Sequence, residues 1–372
     1  MFQFEMLEKH DHEQMTLCSN KSAGLRGIIA IHDTTLGPAI GGVRMRNYDA
    51  INDALSDALK VARTMTYKAA ISGLNLGGGN AVIIGDPKKD KTENLFRTFG
   101  KYVEGLGGRY IAAEDVGTDV ADMEYVRMET KYVAGISKAL GGSGDPSPVT
   151  AYGIYVGMKA MMKRLYGYDS LRGKKVAIQG AGNVARYLVE HLNHEGVEII
   201  ITDRHHEKLK SIVASVKAHV VKPEEIYSVD ADIFSPCALG GIIDDKSIEE
   251  MKFSIIAGAA NNQLVDEKTH GVMLKQKGIF YAPDYVINAG GLINVANELE
   301  GYRQDRALRQ AEGIYDTLLK VLELSEKDDL PTSAAANRLA EGRLQMVRGM
   351  KNMYTGDSTF SGRFGELTRK NR

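Results

Sequence analysis

The chain has 372 residues, of which 43% are hydrophobic and 26% charged, and its formal net charge is −1. This composition is that of a globular protein and excludes a largely disordered one, and the length predicts about two domains. The near-zero charge gives no indication of a nucleic-acid partner or of binding to a membrane surface. Two cysteines, and no apolar run near the roughly 20 residues of a membrane span, lead us to expect a cytoplasmic protein.

Residues 1–135 carry a mixed pattern of strands and helix. Apolar residues at steps of three and four predict a helix over residues 50–66. Continuous apolar runs predict three strands, over residues 24–32, 81–84 and 109–113. Two glycine-rich segments, residues 37–44 and 76–80, are interpreted as turns. This part of the chain therefore predicts a first domain of α/β character.

Residues 140–329 show a more regular pattern in which strands alternate with helices. A helix is predicted over residues 183–194, directly after a glycine-rich turn. Apolar runs predict five strands, over residues 174–179, 197–202, 231–234, 253–257 and 278–281. Strands that alternate with helices form a parallel sheet with helices on both faces. The fold class is therefore α/β, with a doubly wound sheet in the second domain.

Residues 330–372 close the chain. They begin as a helix, predicted over residues 333–350, and end in a polar segment rich in Gly, Ser and Arg. We expect the helix to pack back on the first domain and the last dozen residues to form a weakly ordered tail.

A glycine motif at the start of the predicted helix 183–194 indicates a dinucleotide site. In Gly180-Ala-Gly182-Asn-Val-Ala185, the first glycine permits a tight turn, the second a close approach to a pyrophosphate, and the alanine a close helix–strand packing. The N–H groups at the helix start attract phosphates. The next strand ends at Asp203, near the roughly 20-residue spacing at which an acid binds a ribose 2′-hydroxyl. A glycine-tightened turn without a ligand does not account for this acid.

The same acid indicates which dinucleotide binds. The carboxylate of Asp203 repels a 2′-phosphate and therefore favours NAD over NADP. The adjacent Arg204 is open to two interpretations: a cation that tolerates the phosphate, or a solvated loop residue.

Polar residues of the first domain accompany its glycine-rich segments. Lys68 ends the predicted helix, Asn80 follows three glycines, and Asp115 follows a strand. Glycines bring backbone close to a small ligand, lysine pairs with a carboxylate, and aspartate can carry a proton. Taken alone, Lys68 is better explained as a solvated helix-end lysine and Asp115 as a helix N-cap. Together with a dinucleotide motif they indicate a two-domain dehydrogenase.

Nine segments, spread over nearly the whole chain, form motifs of high specificity. They are IAIHDTTLGPAIGGVRM (29–45), ARTMTYKAAISGLNLGGG (62–79), AVIIGDP (81–87), GGRYIAAEDVGT (107–118), GDPSPVTAYGIYVGMKA (144–160), GAGNVA (180–185), FSPCALGGII (234–243), IAGAANNQL (256–264) and YAPDYVINAGGLINVANEL (281–299). They resemble the amino-acid dehydrogenases of the glutamate/leucine/phenylalanine/valine class, and within it the leucine dehydrogenases.

The resemblance implies reversible oxidative deamination of an L-amino acid by NAD, giving a 2-oxo acid and ammonia. The cleft would lie between a substrate-binding and oligomerisation domain, residues 1–135, and a Rossmann domain, residues 140–329. Such proteins form symmetric homo-oligomers, often octamers. We expect no nucleic-acid, membrane or metal partner.

The resemblance also implies roles for individual residues. Lys68 would pair with the substrate carboxylate, and Asp115 would exchange the proton of the amine. The implied substrate-binding set is Ile40, Gly42, Lys68, Ala113, Glu114, Asn262, Leu292 and Val295. The implied cofactor-binding set is Thr150, Gly180, Gly182, Asn183, Val184, Asp203, Arg204, Cys237, Ala238 and Asn288.

The implied side-chain pocket is formed by Ile40, Ala113, Leu292 and Val295. These residues are short or aliphatic, which suits a branched aliphatic substrate better than an aromatic one. Relatives with leucine specificity usually carry a leucine at position 40 and a valine at position 292. The added bulk at position 292 leads to the hypothesis that the pocket is trimmed towards valine or 2-aminobutyrate.

One position departs from the family motif. The family reads GGGK before the strand, and its lysine is the base that activates water, whereas this chain has Asn80. An amide donates and accepts hydrogen bonds but does not titrate. Because positioned acid–base catalysis contributes roughly 10²- to 10⁴-fold in rate, we expect an impaired dehydrogenase. The alternatives are an oxidoreductase that acts at the level of the imine, and a non-catalytic protein that binds NAD and an amino acid.

Overall fold

The computed structural model describes residues 4–351 and shows two α/β units, each built around one sheet. The strands of the first unit are β1 (Gln14–Asn20), β2 (Leu25–Asp33), β3 (Ala39–Arg46), β4 (Gly77–Ile84) and β5 (Tyr110–Glu114). They lie in the order β1-β2-β4-β3-β5. Strand β2 is antiparallel to β1 and β4, whereas β3 is parallel to β4 and β5. The helices of this unit are α1 (Glu5–Glu8), α2 (Ile51–Ile71), α3 (Glu93–Gly105) and α4 (Val120–Arg127).

Helix α2 covers one face of the first sheet, and α3 and α4 cover the other. Small side chains let α2 approach closely, since Ala58 and Ala62 are fully buried in one cluster with Val82 of β4. On the opposite face, Phe96 of α3 packs with Ile83. Because side chains alternate along a strand, the even-numbered positions of β4 face α2. Asn80 therefore lies on the face of the sheet that α2 covers.

The second unit is a parallel sheet with helices on both faces. Its strands are β6 (Lys175–Gln179), β7 (Glu198–Thr202), β8 (Ala218–Val220), β9 (Ile233–Pro236), β10 (Ile255–Ile256) and β11 (Phe280–Tyr281). They lie in the order β11-β10-β9-β6-β7-β8, and every pair is parallel. The helices are α5 (Ser147–Tyr166), α6 (Asn183–Glu195), α7 (His206–Ser215), α8 (Asp245–Glu250), α9 (Glu267–Gln276), α10 (Asp284–Ile287), α11 (Gly290–Ala296), α12 (Gln304–Lys327) and α13 (Thr332–Lys351).

The predicted α/β class is confirmed, but two predicted turns were wrong. Residues 37–44 lie mostly in β3, and residues 76–80 lie mostly in β4. Glycines carry no side chain by which an apolar strand pattern can be recognised. Helix α2 also continues beyond Lys68 to Ile71.

The glycines of these strands allow close packing within the protein. A Cβ on Gly78 would lie 2.0 Å from the backbone nitrogen of Thr66 in α2, and one on Gly41 would lie 1.7 Å from the carbonyl oxygen of Gly79. The structure therefore accounts for Gly41 and Gly78 by packing within the protein. They bring α2 and β3 close to β4.

Helix α13 leaves the second unit and lies against α2 of the first. Its side chains bond to Tyr67 in α2 and to Tyr285 in α10. The tail predicted for the last dozen residues lies outside the described residues.

Neither a membrane span nor a metal cluster is found among residues 4–351. No helix there is both long and apolar enough to cross a bilayer. In the same range, no group of three or more His, Cys, Asp or Glu side chains could hold a metal ion. The adjacent His205 and His206 are exposed at the start of α7.

Candidate active site

The turn between β6 and α6 has the shape of a phosphate cradle. Gly180 has φ +112, and a Cβ there would lie 2.9 Å from the backbone nitrogen of Ala238. A Cβ on Gly182 would meet nothing within 4 Å, so the backbone faces open space there. Gly182 is the N-cap of α6, and no side chain caps the helix. The first N–H groups of α6, beginning with Asn183 and Val184, are therefore free for an anion.

Asp203 lies beside this cradle, directly after β7. Its two carboxylate oxygens accept the backbone N–H groups of Ala181 and His205, each at 2.7 Å. Partial burial opposes its ionisation, but these hydrogen bonds and the charge of Lys208 lower the pKa of Asp203 on balance. The side chain is thus a fixed anion at the edge of the cradle. Arg204 next to it is exposed.

A second group of polar residues lies at the start of α5 and directly after α10. Thr150 in α5 is buried, and its hydroxyl donates to the carbonyl of Pro146 at 2.9 Å. Asn288 donates its amide N–H to Asn261 Oδ1 at 2.7 Å, whereas its own Oδ1 is buried without a partner. An unpaired buried acceptor is costly, and a carboxamide donor would satisfy it. The residues present therefore fit a nicotinamide dinucleotide.

Cys237 and Ala238 follow β9 at the same edge of the sheet. The backbone N–H of Cys237 donates to the carbonyl of Gln179 at 2.7 Å, which fixes the segment against β6. Burial raises the pKa of the Cys237 thiol. The side chain is therefore a neutral lining of the cradle rather than a thiolate nucleophile.

Lys68 is a charged group that joins the two units. It comes from α2, is 8% exposed, and donates from Nζ to Asn261 Oδ1 at 3.3 Å. Burial lowers the pKa of Lys68 to about 8, although the carboxylates of Asp284 and Asp115 oppose the shift. An ammonium group in this setting is well placed to pair with a carboxylate that enters between the units.

Sequence reasoning missed two partners of Lys68. The structure brings Asn261, rather than Asn262, to the ammonium group; Asn262 has φ 51 and lines a neighbouring cleft with Tyr67. Asp284 is the other, a carboxylate that accepts the backbone N–H of Gln263 at 3.0 Å. Burial raises the pKa of Asp284, and Lys68 opposes the shift. Its position directly after a parallel strand was the available signal, since ligands bind at the carboxyl ends of such strands.

Asp115 lies across the cleft from the second unit, at the end of β5. Arg44 donates from Nε to Asp115 Oδ2 at 3.0 Å and from Nη1 to Asp57 at 2.9 Å. Arg44 thus ties Asp115 to α2, a role that sequence reasoning did not assign. Gly42 leaves room for this carboxylate, because a Cβ there would lie 2.4 Å from the Cβ of Asp115.

Glu114 precedes Asp115 and is turned to the other side of the strand. Burial, followed by the negative charges of Asp145, Asp119 and Glu298, raises the pKa of Glu114 to about 7. This carboxyl group therefore changes its charge near neutrality.

The residues of the predicted pocket form an apolar cluster that joins both units. Ile40 and Ala113 of the first unit share a buried cluster with Leu292 and Val295 of the second. Ala69, the neighbour of Lys68, belongs to the same cluster. An apolar side chain could therefore enter this cluster while its carboxylate meets Lys68.

Comparisons with known proteins identify the family. The model described as "Glu/Leu/Phe/Val dehydrogenase, dimerisation domain" matches residues 12–132, and "Glutamate/Leucine/Phenylalanine/Valine dehydrogenase" matches residues 141–313. The chain belongs to this family. It is an amino-acid dehydrogenase that uses a nicotinamide cofactor.

Individual relatives agree. The chain is 54% identical to a leucine dehydrogenase of Thermoactinomyces intermedius, over 95% of this chain and 96% of that protein. It is also 54% identical to a leucine dehydrogenase of Bacillus subtilis, over 97% of this chain and 99% of that protein. The crystal structure of L-tryptophan dehydrogenase from Nostoc punctiforme matches with a TM-score of 0.82 and 45% identity, over 93% of this chain and 100% of that one. The resemblance to leucine dehydrogenases is confirmed.

Asn80 lies in the part of β4 that faces α2, between Gly78 and Val82. It is fully buried, and its Nδ2 donates to the carbonyl of Ala81 at 3.3 Å. Its Oδ1 has no partner among the described residues. The side chain therefore adds a neutral amide, and no titratable group, to the face that carries Asp115.

Proposed function

We propose that this protein binds NAD and interconverts branched-chain aliphatic L-amino acids with their 2-oxo acids and ammonia, at a rate reduced by Asn80. One observation carries the proposal: the buried ammonium group of Lys68 adjoins an aliphatic cluster built from both units, and the second unit carries a dinucleotide cradle. The leucine specificity named for the relatives supports the substrate class.

In this proposal, the two charged groups Lys68 and Asp115 have different roles. Lys68 binds the substrate carboxylate, and Asn261 holds Lys68 from the second unit. Asp115, anchored by Arg44, exchanges a proton with the substrate amine. Thr150 and Asn288 would hold a nicotinamide, which would supply the acceptor for the hydride of the substrate Cα. Asn262 is the neighbour of Asn261 in the chain. We propose that it orients the loop that carries Asn261.

The preference for NAD rests on Asp203. Its carboxylate is held at the edge of the cradle, where it can accept the ribose hydroxyls and repels a 2′-phosphate. Gly180 and Gly182 admit the pyrophosphate, and Thr150 and Asn288 meet the nicotinamide end.

The reduced rate rests on Asn80. A base that activates water contributes roughly 10²- to 10⁴-fold, and a buried amide cannot replace it. The same observation favours a second candidate, reduction of a preformed imine, because that reaction needs no activated water. A protein that only binds its ligands would have no use for a proton-exchanging Asp115.

We further propose that the protein is a homo-oligomer of up to eight chains. The first unit matches a model described as a dimerisation domain, which supports the association of chains through it. Light scattering on the purified protein measures the number of chains directly.

The proposal is tested by NADH formation at 340 nm with L-leucine, L-valine, L-isoleucine and L-phenylalanine, in the unaltered protein and in Asn80→Lys. We expect slow turnover of the aliphatic substrates, restored more than tenfold by Asn80→Lys. Leucine well ahead of valine would overturn the trimmed pocket at Leu292. Phenylalanine ahead of all others would overturn the aliphatic class. If the protein reduces a preformed imine with NADH faster than it oxidises any of the amino acids, the second candidate is favoured.

A further inference from the structure

Helix α13 connects the two units through its side chains. Near its start, Asn337 accepts the hydroxyl of Tyr285 in α10 at 2.8 Å. One turn later, Glu341 accepts the hydroxyl of Tyr67 in α2 at 2.7 Å. The helix is thus fixed to the second unit at one end and to the first unit further along.

Arg343 of α13 binds the end of α2 with both terminal nitrogens of its guanidinium group. Nη1 donates to the carbonyl oxygens of Ala70 (2.8 Å), Leu74 (2.8 Å) and Ala69 (3.4 Å), and Nη2 donates to Gly73 O (3.1 Å) and Asn75 Oδ1 (2.9 Å). The last carbonyl groups of a helix have no partner inside it, and they form the negative end of its dipole. The guanidinium group supplies hydrogen-bond donors to such carbonyl groups, and its positive charge is attracted by the negative end of the dipole.

The turn that Arg343 binds is the turn that carries Lys68. Helix α2 ends at Ile71, and the carbonyl of Lys68 accepts the N–H of Ser72 at 3.1 Å. From this turn Lys68 reaches across to Asn261 in the second unit. A shift of the turn would therefore move the ammonium group relative to its partner.

We infer that Arg343 is a positioning residue for substrate binding, which holds the last turn of α2 so that Lys68 meets the substrate carboxylate. This inference rests on the carboxylate-binding role proposed for Lys68. Arg343 itself touches neither substrate nor cofactor. Its effect passes through the backbone of residues 69–75 to a side chain of the same helix.

The test is the affinity of the NADH-bound protein for 4-methyl-2-oxopentanoate without ammonium, followed by NADH fluorescence. In the absence of ammonium no turnover occurs, so Asn80 does not limit the measurement. Arg343→Met should weaken binding about tenfold, and Arg343→Lys by less, because a lysine keeps the charge but not the five donors. Affinity for NADH should be unchanged. The matched control is Arg338→Met on the same helix, whose partner is Asp328 and which should leave both affinities unchanged.

A double-variant cycle distinguishes positioning from general support of the fold. If Arg343 acts through Lys68, then Arg343→Met should cause no further loss in a Lys68→Met background. The same loss in both backgrounds would overturn the inference. If Lys68→Met alone leaves the affinity unchanged, the proposed role of Lys68 fails, and the inference fails with it. Should Arg343→Met not fold, Arg343→Lys carries the same cycle.

Discussion

The two units build their parts of the site in different ways. The cradle of the second unit comes from one stretch, residues 175–203, in which a strand, a turn, a helix and a strand follow each other. The polar set of the first unit comes from α2, β4 and β5, and Lys68 is completed by Asn261 of the other unit. A local motif can therefore specify the cofactor half, whereas the substrate half depends on contacts between distant segments.

The largest effect that distinguishes the two halves is expected at Gly42. In Gly42→Ala the added Cβ would lie 2.4 Å from the Cβ of Asp115, so that carboxylate must shift. Overpacking of this kind costs about 1–3 kcal/mol of unfolding free energy, and the turnover of the Asn80→Lys variant should fall with it. Gly313→Ala is the control, because a Cβ there meets nothing within 4 Å. It should stabilise the protein by roughly 0.5–1 kcal/mol. Equal stability of both variants would contradict the packing described for Asp115.

An intermediate effect is expected at the cradle. Asp203→Ser removes the fixed carboxylate, and a nearby charge contributes on the order of 1–4 kcal/mol, so the ratio of NAD to NADP affinities should fall about tenfold. Substrate affinity should not change, because the cradle is a separate local structure. Arg204→Ser decides between the two interpretations of that residue: a loss of NADP affinity indicates a phosphate contact, and no change indicates a solvated side chain. An unchanged ratio in Asp203→Ser would contradict the role of the acid.

The cofactor half of the site could be predicted from the sequence more fully than the substrate half, for a physical reason. The cradle was predicted from sequence because its glycines, helix start and acid have fixed local spacing. Asn261, Asp284 and Arg44 were missed, since their roles arise only when β3, α2 and the second unit meet. The glycines of β4 were misinterpreted because the neighbours that require them are distant in the chain. Lys68 and Asp115 were singled out from the sequence and given roles by the family resemblance, and these roles stay predictions, whereas the partners of both side chains are seen only in the structure.

A third prediction concerns pH. Because burial lowers the pKa of Lys68 to about 8, the ammonium group is charged below that pH and loses its proton above it. Affinity for a 2-oxo acid should therefore be constant below pH 8 and fall about tenfold per pH unit above it. Lys68→Met should remove this alkaline limb. Glu114→Gln is the control and should leave the limb in place, because the pKa of Glu114 is about 7 and lies below the pH range of the limb. An affinity that stays constant to pH 10 would contradict the proposed pairing of Lys68 with the carboxylate.

The central claim is that the site binds its ligands but lacks a base at position 80. The most direct test compares the protein with Asn80→Lys in two measurements, the affinity of the NADH complex for 4-methyl-2-oxopentanoate and kcat for its reductive amination. We predict affinities within a few-fold of each other and a kcat at least about 100-fold higher in Asn80→Lys, in line with the loss of a positioned base. Equal kcat values in the two proteins would contradict the claim and would mean that another group activates water.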